Sequence, residues 1–398
     1  MKTIDHIPVW GEHTPDTIEQ IMRCARTADY AALCADGHIG MGVPIGGVVA
    51  YKDKISPTAV GTDIGCGNKA VRLDMPADEL RRNIGAIMDD LWREISFGIG
   101  RRNRTPIDHP LFDDPVWSLS AISGFKKMAR EQLGTVGSGN HYVDLFVDEL
   151  GRVWIGVHFG SRGFGYKTAF HFLEAVGAKE GYNVNPVVLD VHSALGADYI
   201  ECMRMAGEYA YAGRDWVCRE VARLMGASIV EEIHNNHNFA WHETHNGEDL
   251  WVCRKGSTPA FPGQRSFVGG SMGDDSVILE GLDNEEARLS LHSTVHGAGR
   301  VLSRRAARGK MNYRTKKVMV PGSISREMML SWLKDKDVVL GAPVWMNPLT
   351  ATADFARYCR IIKKRSGSST CCIRWEWQWR VKTNSTHIRI KGHRWPYP

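Results

Sequence analysis

Apolar and polar positions follow two different periods along this chain, which predicts helices mixed with short strands. Residues 12–35 carry an apolar stripe at helical spacing, with Thr14 as the cap and Pro15 in the first turn. Helices are also predicted over residues 77–96, 194–205 and 215–225, a helix start within 289–306, a loop and strand at 39–50, and strands at 153–157, 250–254 and 276–280. These elements show no regular βαβ rhythm, and no Pro/Ser-rich linker divides them. We therefore predict a single α+β domain with mixed β-sheets flanked by helices.

The composition narrows the class of protein. Of the 398 residues, 43% are hydrophobic and 24% are charged, which is typical of a globular protein and excludes a disordered, collagen-like or coiled-coil chain. No run of eighteen apolar residues is present, and residues 1–11 lack the apolar core of a signal peptide. We expect a cytoplasmic protein with no membrane partner. The nine cysteines follow no framework spacing, so thiols or metal ligands are expected rather than disulfides.

The last part of the chain, residues 342–398, differs from the rest. From Val344 onwards it carries eleven Lys and Arg against two Asp and Glu, holds five of the thirteen Trp residues, and fits no apolar period that we recognise. Without it the chain is slightly acidic, with 39 basic and 43 acidic side chains. A basic, Trp-rich arm suits nucleic acid. However, permitted codons for residues 370–380 give an ordinary strand-like segment in another reading frame. We therefore interpret 342–398 as a frameshift product and 1–341 as the functional domain.

Four separate segments offer metal-binding side chains, most of them close to glycines. Asp63 and Cys66 lie three residues apart in a Gly-rich stretch, which lets both reach one divalent ion. His141 stands at the start of a strand, His158 at the end of one, and His237 in a His-rich stretch. Taken singly, most of these residues are more typical of a turn or of a hydrogen-bonded histidine. Together they form a mixed O, S and N donor set in which a bridging thiolate can hold two metal ions.

Further stretches suit a nucleotide or a phosphate. His296 precedes a Gly-Ala-Gly turn that ends at Arg300; the imidazole can act as ligand, base or nucleophile, and the guanidinium can hold a phosphate. Arg162 lies in a Gly/Ser loop that can wrap a phosphate, and residues 270–276 offer hydroxyl groups and glycine backbone. No P-loop, dinucleotide fingerprint, HExxH or paired CxxC motif is present.

The order of these blocks resembles that of the RtcB-type RNA ligases. The resemblance runs from about residue 10 to 341 and rests on Asp63-Ile-Gly-Cys66, Gly139-Asn140-His141, His158-Phe-Gly-Ser-Arg162-Gly, His237-Asn238, Arg254-Lys-Gly256 with Pro259-Ala-Phe-Pro262, Gly270-Ser-Met-Gly273 and His296-Gly-Ala-Gly-Arg300. It implies an RtcB-like fold with a deep metal and nucleotide cleft. It also implies an enzyme of tRNA splicing or RNA repair that uses GTP and Mn²⁺. Such an enzyme joins a 2′,3′-cyclic phosphate or 3′-phosphate end to a 5′-hydroxyl end through a GMP-histidine intermediate.

The resemblance also implies a role for each candidate residue. Two Mn²⁺ ions would bind, one at Asp63, Cys66 and His141 and one at Cys66, His158 and His237. His296 would attack the α-phosphorus of GTP. The guanylate would contact Asn140, Ser271, Gly273 and Ser276 together with the turn Gly297, Ala298 and Gly299, while Arg162 and Arg300 would hold phosphate or RNA. RNA and GTP are thus the expected partners, and the family allows an accessory activating protein.

Two departures from the family pattern leave alternatives open. Asp144 stands where the family often has Glu, and Lys391-Gly392 imitates the family's C-terminal Lys-Gly but lies in the atypical tail. The same ligands would serve a two-metal phosphodiesterase or phosphatase with water as the nucleophile, which needs no covalent histidine. An inactive RNA-binding variant would bind metal and GTP without turnover.

Overall fold

The structure is a computed structural model that describes residues 1–178, 181–272, 274–300, 306–307, 309–311, 318–335, 338–340, 373–379 and 387–390. Within these ranges the α-helices are α1 (Pro15–Ala25), α2 (Pro57–Val60), α3 (Ala77–Glu94), α4 (Lys126–Gln132), α5 (Arg162–Ala175), α6 (Ala194–Leu224), α7 (Glu285–Leu289) and α8 (Arg326–Asp335). Short 3₁₀ helices occupy Pro110–Asp113, Pro115–Ser118 and Ser123–Phe125. Among the helices of the described ranges, none has both the length and the apolar character that a membrane crossing needs.

The strands are short and numerous. They are β1 (Lys2–Ile4), β2 (Ile7–Val9), β3 (Tyr30–His38), β4 (Ile45–Tyr51), β5 (Lys54–Ile55), β6 (Gly67–Pro76), β7 (Tyr142–Val147), β8 (Arg152–Phe159), β9 (Leu189–Asp190), β10 (Ile229–Asn236), β11 (Asn238–His245), β12 (Glu248–Lys255), β13 (Ser257–Pro259), β14 (Arg265–Val268), β15 (Ser276–Gly281), β16 (Ser293–Val295), β17 (Gly309–Met311), β18 (Val318–Pro321), β19 (Val338–Leu340), β20 (Ile373–Trp379) and β21 (His387–Ile390). Helices and strands are mixed along the chain, so the predicted α+β class is confirmed.

Two six-stranded sheets contain most of these strands. The first has the order β1-β2-β3-β4-β12-β11 and the second has the order β10-β6-β8-β7-β21-β19. Most neighbours are antiparallel, but β2 with β3 and β19 with β21 are parallel. Both large sheets are therefore mixed, as the sequence predicts.

The strand register of the second sheet gathers several loop ends at one place. Gly67, which begins β6, lies opposite Phe159 at the end of β8 and opposite Asn236 at the end of β10. Tyr142, which begins β7, lies opposite His158 on β8. The residues just outside these positions therefore meet at one end of the sheet.

Helix α6 packs behind this end of the sheet. Its buried positions include Gly207, Ala210 and Gly213, which follow one another at intervals of three residues along one side of the helix. Gly65 has a φ of +69°, and a Cβ built on it would lie 3.0 Å from the Ala210 Cβ and from the Gly207 Cα. Small helix residues and a glycine in the left-handed region thus allow the loop before β6 to lie directly on α6.

Helix α6 also joins two apolar clusters. Tyr199 and Tyr209 are buried in a cluster with Phe164, whereas Val217 and Val221 are buried in the cluster beneath the second sheet. A helix of 31 residues is long enough to span both clusters. This shared packing fixes α6 relative to the loops described above.

Several sequence predictions need correction at their boundaries. The predicted helix at 12–35 is wrong beyond α1, because Arg26 and Thr27 form a turn and β3 begins at Tyr30. The segments 194–205 and 215–225 are parts of the single helix α6. Within the range 289–306, where a helix start is expected, residues 290–300 form β16 and a loop, whereas Ala306 is helical, as is the following Ala307.

The structure describes two strands of the 342–398 segment. Strand β20 pairs with β15, and β21 pairs with β7 and β19. The rest of that segment, including Lys391-Gly392, lies outside the described residues.

Candidate metal and nucleotide site

The five predicted metal-binding side chains lie together at the gathered end of the second sheet. Cys66 Sγ lies 3.3 Å from His158 Nε2 and 3.8 Å from His141 Nε2. His141 Nε2 lies 3.0 Å from Asp63 Oδ2. Two groups of donor atoms, each with all atoms within 4.8 Å of one another, share Cys66: one adds Asp63 and His141, and the other adds His158 and His237. These are the two ligand sets that the resemblance implies.

Backbone hydrogen bonds hold the loop of Asp63 and Cys66 against the segment around His237. The carbonyl oxygen of Cys66 accepts the N–H groups of His237 (2.8 Å) and Asn238 (3.2 Å). The Asn238 carbonyl in turn accepts the Gly65 N–H at 2.8 Å. Because these bonds run in both directions, the two segments have little freedom to separate.

Two glycines make room for the donors. A Cβ on Gly160 would lie 2.5 Å from Asp63 Oδ1 and 2.8 Å from the Cys66 Cα. A Cβ on Gly137 would lie 2.4 Å from His141 Nδ1. Any side chain at either position would displace a donor, which explains glycine at both places.

Burial and charge set the protonation of the donors. Burial is the largest cause that lowers the pKa of His237 well below its usual range, which keeps the imidazole neutral and able to bind a metal. Burial, followed by the charge of Asp63, raises the pKa of the Cys66 thiol well above its usual range, while Arg214 and Arg162 act in the opposite direction. Burial also opposes ionisation of Asp63, but its hydrogen bond to His141 holds the net pKa below the usual range.

The donors fit a metal ion. The His237 Nδ1 atom is buried and has no hydrogen-bond partner among the described residues, which is costly unless another group binds the ring. A thiol, a carboxylate and three imidazoles suit a divalent transition metal better than Ca²⁺ or Mg²⁺, which prefer oxygen ligands alone. The grouped side chains therefore form a candidate metal-binding site.

His296 lies directly beside these donors. Its ring centroid is 4.8 Å from that of His237. The buried Asp36 accepts the backbone N–H groups of His296 (3.0 Å) and Gly297 (3.2 Å) with Oδ2. The same oxygen lies 2.6 Å from His296 Nδ1, an ion-pair distance without hydrogen-bond geometry. Asp36 thus anchors the backbone of the turn and faces one nitrogen of the ring.

The turn after His296 requires its glycines. Gly299 has a φ of +66°, and a Cβ there would lie 3.1 Å from the Asp36 carbonyl oxygen. Gly297 forms an isolated bridge with Gly269, which precedes the serine stretch 270–276. Ala298 is buried beside them. The structure therefore brings the two predicted nucleotide segments together.

The predicted nucleotide residues differ in exposure. Ser271 and Ser276 are buried, and Ser276 Oγ accepts the Gly270 N–H at 3.1 Å. Asn140 is exposed next to His141. Gly273 lies outside the described residues.

The two predicted phosphate-binding arginines lie on different sides of the site. Arg162 has a φ of +59° and its Nη1 lies 2.9 Å from His141 Nδ1. The Arg300 Nε donates to His38 Nε2 at 3.2 Å, and His38 Nδ1 lies 3.1 Å from the Asp36 carbonyl oxygen. One arginine therefore adjoins the metal donors, and the other adjoins the support of His296.

Sequence reasoning missed several residues that lie against the site but are distant from their partners along the chain. Asp36 ends an apolar stretch in an Asp-Gly-His sequence, a polar strand end that could have been noticed. Asn68, whose Nδ2 donates to the His296 carbonyl at 3.2 Å, lies in the Gly-rich stretch that stands out only for Asp63 and Cys66. Arg214 lies within a helix and carries no motif signal.

Comparisons with known proteins identify one family. A family model described as tRNA-splicing ligase RtcB matches residues 17–121 and 119–343. The chain is 31% identical over 349 residues to an RNA-splicing ligase RtcB of Escherichia coli strain K12, covering 77% of this chain and 84% of that protein. It is also 31% identical over 359 residues to a tRNA-splicing ligase RtcB of Thermococcus kodakarensis, covering 70% and 74% respectively. The chain belongs to the RtcB family.

Proposed function

We propose that this chain is an RNA ligase that joins 2′,3′-cyclic phosphate or 3′-phosphate ends to 5′-hydroxyl ends through a GMP-histidine intermediate. The relatives named RNA-splicing and tRNA-splicing ligases support RNA as the substrate class. The observation that carries the finer proposal is the position of His296. A half-buried imidazole beside a cluster of metal donors, with its backbone fixed by a buried carboxylate, suits a nucleophile that attacks a phosphate.

We assign two Mn²⁺ ions to the two donor groups. Asp63, Cys66 and His141 would hold one ion, and Cys66, His158 and His237 the other. When bound, the metal would supply stabilisation of the charge that develops on phosphate oxygens. His141 Nδ1 faces the Arg162 guanidinium, which can only donate, so in this arrangement the ring proton lies on Nε2. Ligation of a metal through Nε2 would therefore require Arg162 to leave Nδ1, and its guanidinium would then be available for a phosphate.

Asp36 and the surrounding turn orient His296 for attack. A carboxylate opposite Nδ1 favours the tautomer with the proton on Nδ1, which leaves the Nε2 lone pair free. It also stabilises positive charge on the ring as Nε2 bonds to the α-phosphorus of GTP, while the bond from that phosphorus to the departing pyrophosphate breaks. Asn140, Ser271, Gly273 and Ser276 would then contact the guanylate of GTP, and Arg300 would hold phosphate or RNA.

Labelling with GTP tests this proposal. The purified chain is incubated with α-labelled GTP and Mn²⁺ and separated on a denaturing gel, alongside His296→Ala. We expect a labelled band that is acid-labile and base-stable, as a phosphoramidate is, and that is absent from the variant. The ligation of a 3′-phosphate RNA to a 5′-hydroxyl RNA by the purified chain alone also tests whether an accessory protein is needed.

Two controls separate the competing explanations. A version in which residues 342–398 are replaced by the restored reading frame tests our proposal that this segment is a frameshift product. Label on that version alone would make this chain a damaged ligase, whereas label on neither would refute the ligase mechanism. Cleavage of phosphodiesters that persists in His296→Ala would instead support the two-metal phosphodiesterase.

A further inference from the structure

Arg214 is a buried cation on α6 that the proposed reaction does not use. Its side chain has no exposed surface. Nη1 donates to the carbonyl oxygens of Gly65 (2.8 Å) and Phe159 (2.6 Å), and Nη2 donates to Asn236 Oδ1 (2.5 Å). Nε donates to His234 Nε2 at 2.8 Å. All three nitrogens of the guanidinium are therefore engaged.

Three of these acceptors lie next to candidate metal ligands in the chain. Gly65 precedes Cys66, Phe159 follows His158, and Asn236 precedes His237. The three ligands of one donor group thus come from three segments that are far apart in sequence. The Arg214 guanidinium is hydrogen-bonded to one residue of each segment.

The cost of burying Arg214 argues against a simple packing role. Its hydrogen-bond partners among the described residues are carbonyl, amide and imidazole groups, not carboxylates. Burial lowers the pKa of the guanidinium, as expected for a cation held in the interior. Apolar side chains of similar volume often replace buried charges without loss of stability, so the geometry that the guanidinium imposes is the better reason for its presence.

The neighbours of Arg214 fix its orientation. His234 Nδ1 lies 3.3 Å from Asp215 Oδ1, so the ring donates on that side and offers Nε2 to Arg214. The Arg214 guanidinium also lies over the Tyr211 ring, 5.0 Å from its centroid. Gly213, the preceding residue, lies against the Phe159 ring, where a Cβ would come within 3.3 Å. The guanidinium is therefore held rigidly enough to position other groups.

We infer that Arg214 is a positioning residue of the metal centre, which sets the spacing of Cys66, His158 and His237. The inference rests on the proposed function, because it requires these three side chains to bind a metal ion. Lysine cannot replace this function, since its single nitrogen cannot reach three acceptors spread around a planar fork.

Metal titration of the full chain tests the inference. Co²⁺ is added while the thiolate-to-metal absorption is recorded, because this band reports on Cys66, and Mn²⁺ binding is followed by the resonance of the free ion. His158→Ala identifies the binding step that depends on this donor group. We expect Arg214→Lys to weaken that step about 10- to 100-fold, the range found when groups that orient metal ligands are removed.

Arg254→Lys is the matched control. Arg254 is equally buried, but it donates to Glu243, Ser293 and the Leu291 carbonyl rather than to segments of the metal centre. We expect this variant to lose thermal stability and to keep its metal affinity. If both variants lose metal affinity in proportion to their loss of stability, Arg214 is merely structural and the inference is overturned.

The remaining outcomes separate this inference from the proposed function. Unchanged Co²⁺ spectra and affinity in Arg214→Lys would overturn the inference and leave the metal centre intact. A wild-type chain that binds neither Co²⁺ nor Mn²⁺ would overturn the metal centre and the inference together. If Arg214→Lys does not fold, Asn236→Ala removes one acceptor of the guanidinium. A smaller weakening of the same step then supports the inference, and wild-type affinity contradicts it.

Discussion

Replacement of Asp36 by Asn tests the support of the proposed nucleophile most directly. Asp36 Oδ2 accepts two backbone N–H groups of the turn and lies 2.6 Å from His296 Nδ1. An asparagine oxygen can still accept the two backbone groups, so the turn is expected to keep its conformation. What the substitution removes is the negative charge opposite the imidazole.

The size of the effect follows from the type of contact. A hydrogen bond or ion pair with a charged partner contributes about 1.5–3 kcal/mol, against about half as much for a neutral one. If the full charged contact forms only as positive charge develops on His296, its loss slows formation of the GMP adduct about 10- to 150-fold. Asp36 Oδ1 is buried and has no hydrogen-bond partner among the described residues. In Asp36→Asn the side-chain amide nitrogen would take this position as a buried donor without an acceptor, so we expect a modest loss of stability.

Single-turnover labelling with α-labelled GTP at saturating Mn²⁺ measures this rate. Asp148→Asn is the matched control, because Asp148 is also buried and also accepts two backbone N–H groups, from Leu150 (3.0 Å) and Arg152 (2.9 Å). We expect the control to lose stability and to label at the wild-type rate. Labelling of Asp36→Asn at the wild-type rate would refute the orienting role of the carboxylate.

Three further predictions concern the metal donors and the pH dependence of stability. Cys66→Ser should weaken both metal-binding steps, since both donor groups contain Cys66; in a Mn²⁺ titration, loss of only one step would contradict a shared ligand. Gly160→Ala should lower metal affinity at least about tenfold by displacing the Asp63 carboxylate, whereas Gly124→Ala, where a Cβ meets nothing within 4 Å, should not. Burial, then a nearby arginine, lowers the pKa of His38 to about 4. As the pH falls from about 6.5, the unfolded chain therefore protonates His38 before the folded chain does. The free energy of unfolding consequently decreases between about pH 6.5 and pH 4. In urea unfolding measured at a series of pH values, His38→Gln should reduce the slope of the free energy of unfolding against pH by the equivalent of close to one proton. An unchanged slope would contradict the lowered pKa of His38.

Each proposed metal donor carries a local signal in the sequence. A thiol three residues from a carboxylate among glycines, or a histidine at a strand end, is unusual enough to notice in one segment. The structure then brings these segments together through the register of β6, β8 and β10. No local pattern contains that register, so spacing along the chain can suggest the grouping but cannot establish it.

The supporting residues were not predictable, because their partners are distant in sequence. Asp36 and His296 are separated by 260 residues, and Arg214 and Gly65 by 149. An arginine inside a helix usually lies on the solvent-exposed side of that helix, and only tertiary contacts reveal that Arg214 is buried. The spacing of Gly207, Ala210 and Gly213 does indicate a close approach, but it does not say which loop approaches.

Two errors of the sequence interpretation concern strands that it does not predict. Apolar runs of moderate length suit either a helix or a strand, so the run after residue 29 resembles a continuation of α1 although it forms β3. In the tail, apolar and polar residues alternate from Ile373 to Trp379, a strand period that the high Trp content obscures, and the structure has β20 there. Neither error changes the assignment of the metal donors.

The two donor groups of the proposed metal centre have different supporting residues, so variants of these residues can be compared with each other. Both supports adjoin the shared ligand Cys66, but each also adjoins ligands of one group alone. Gly160 lies closest to Asp63, whereas Arg214 is bonded beside His158 and His237. If both supports act as described, Gly160→Ala and Arg214→Lys must weaken different binding steps most strongly. A general loosening of the fold would weaken both steps to a similar extent in both variants. The pattern of loss across the two variants, rather than the size of either loss, therefore decides whether these residues position ligands or only stabilise the protein.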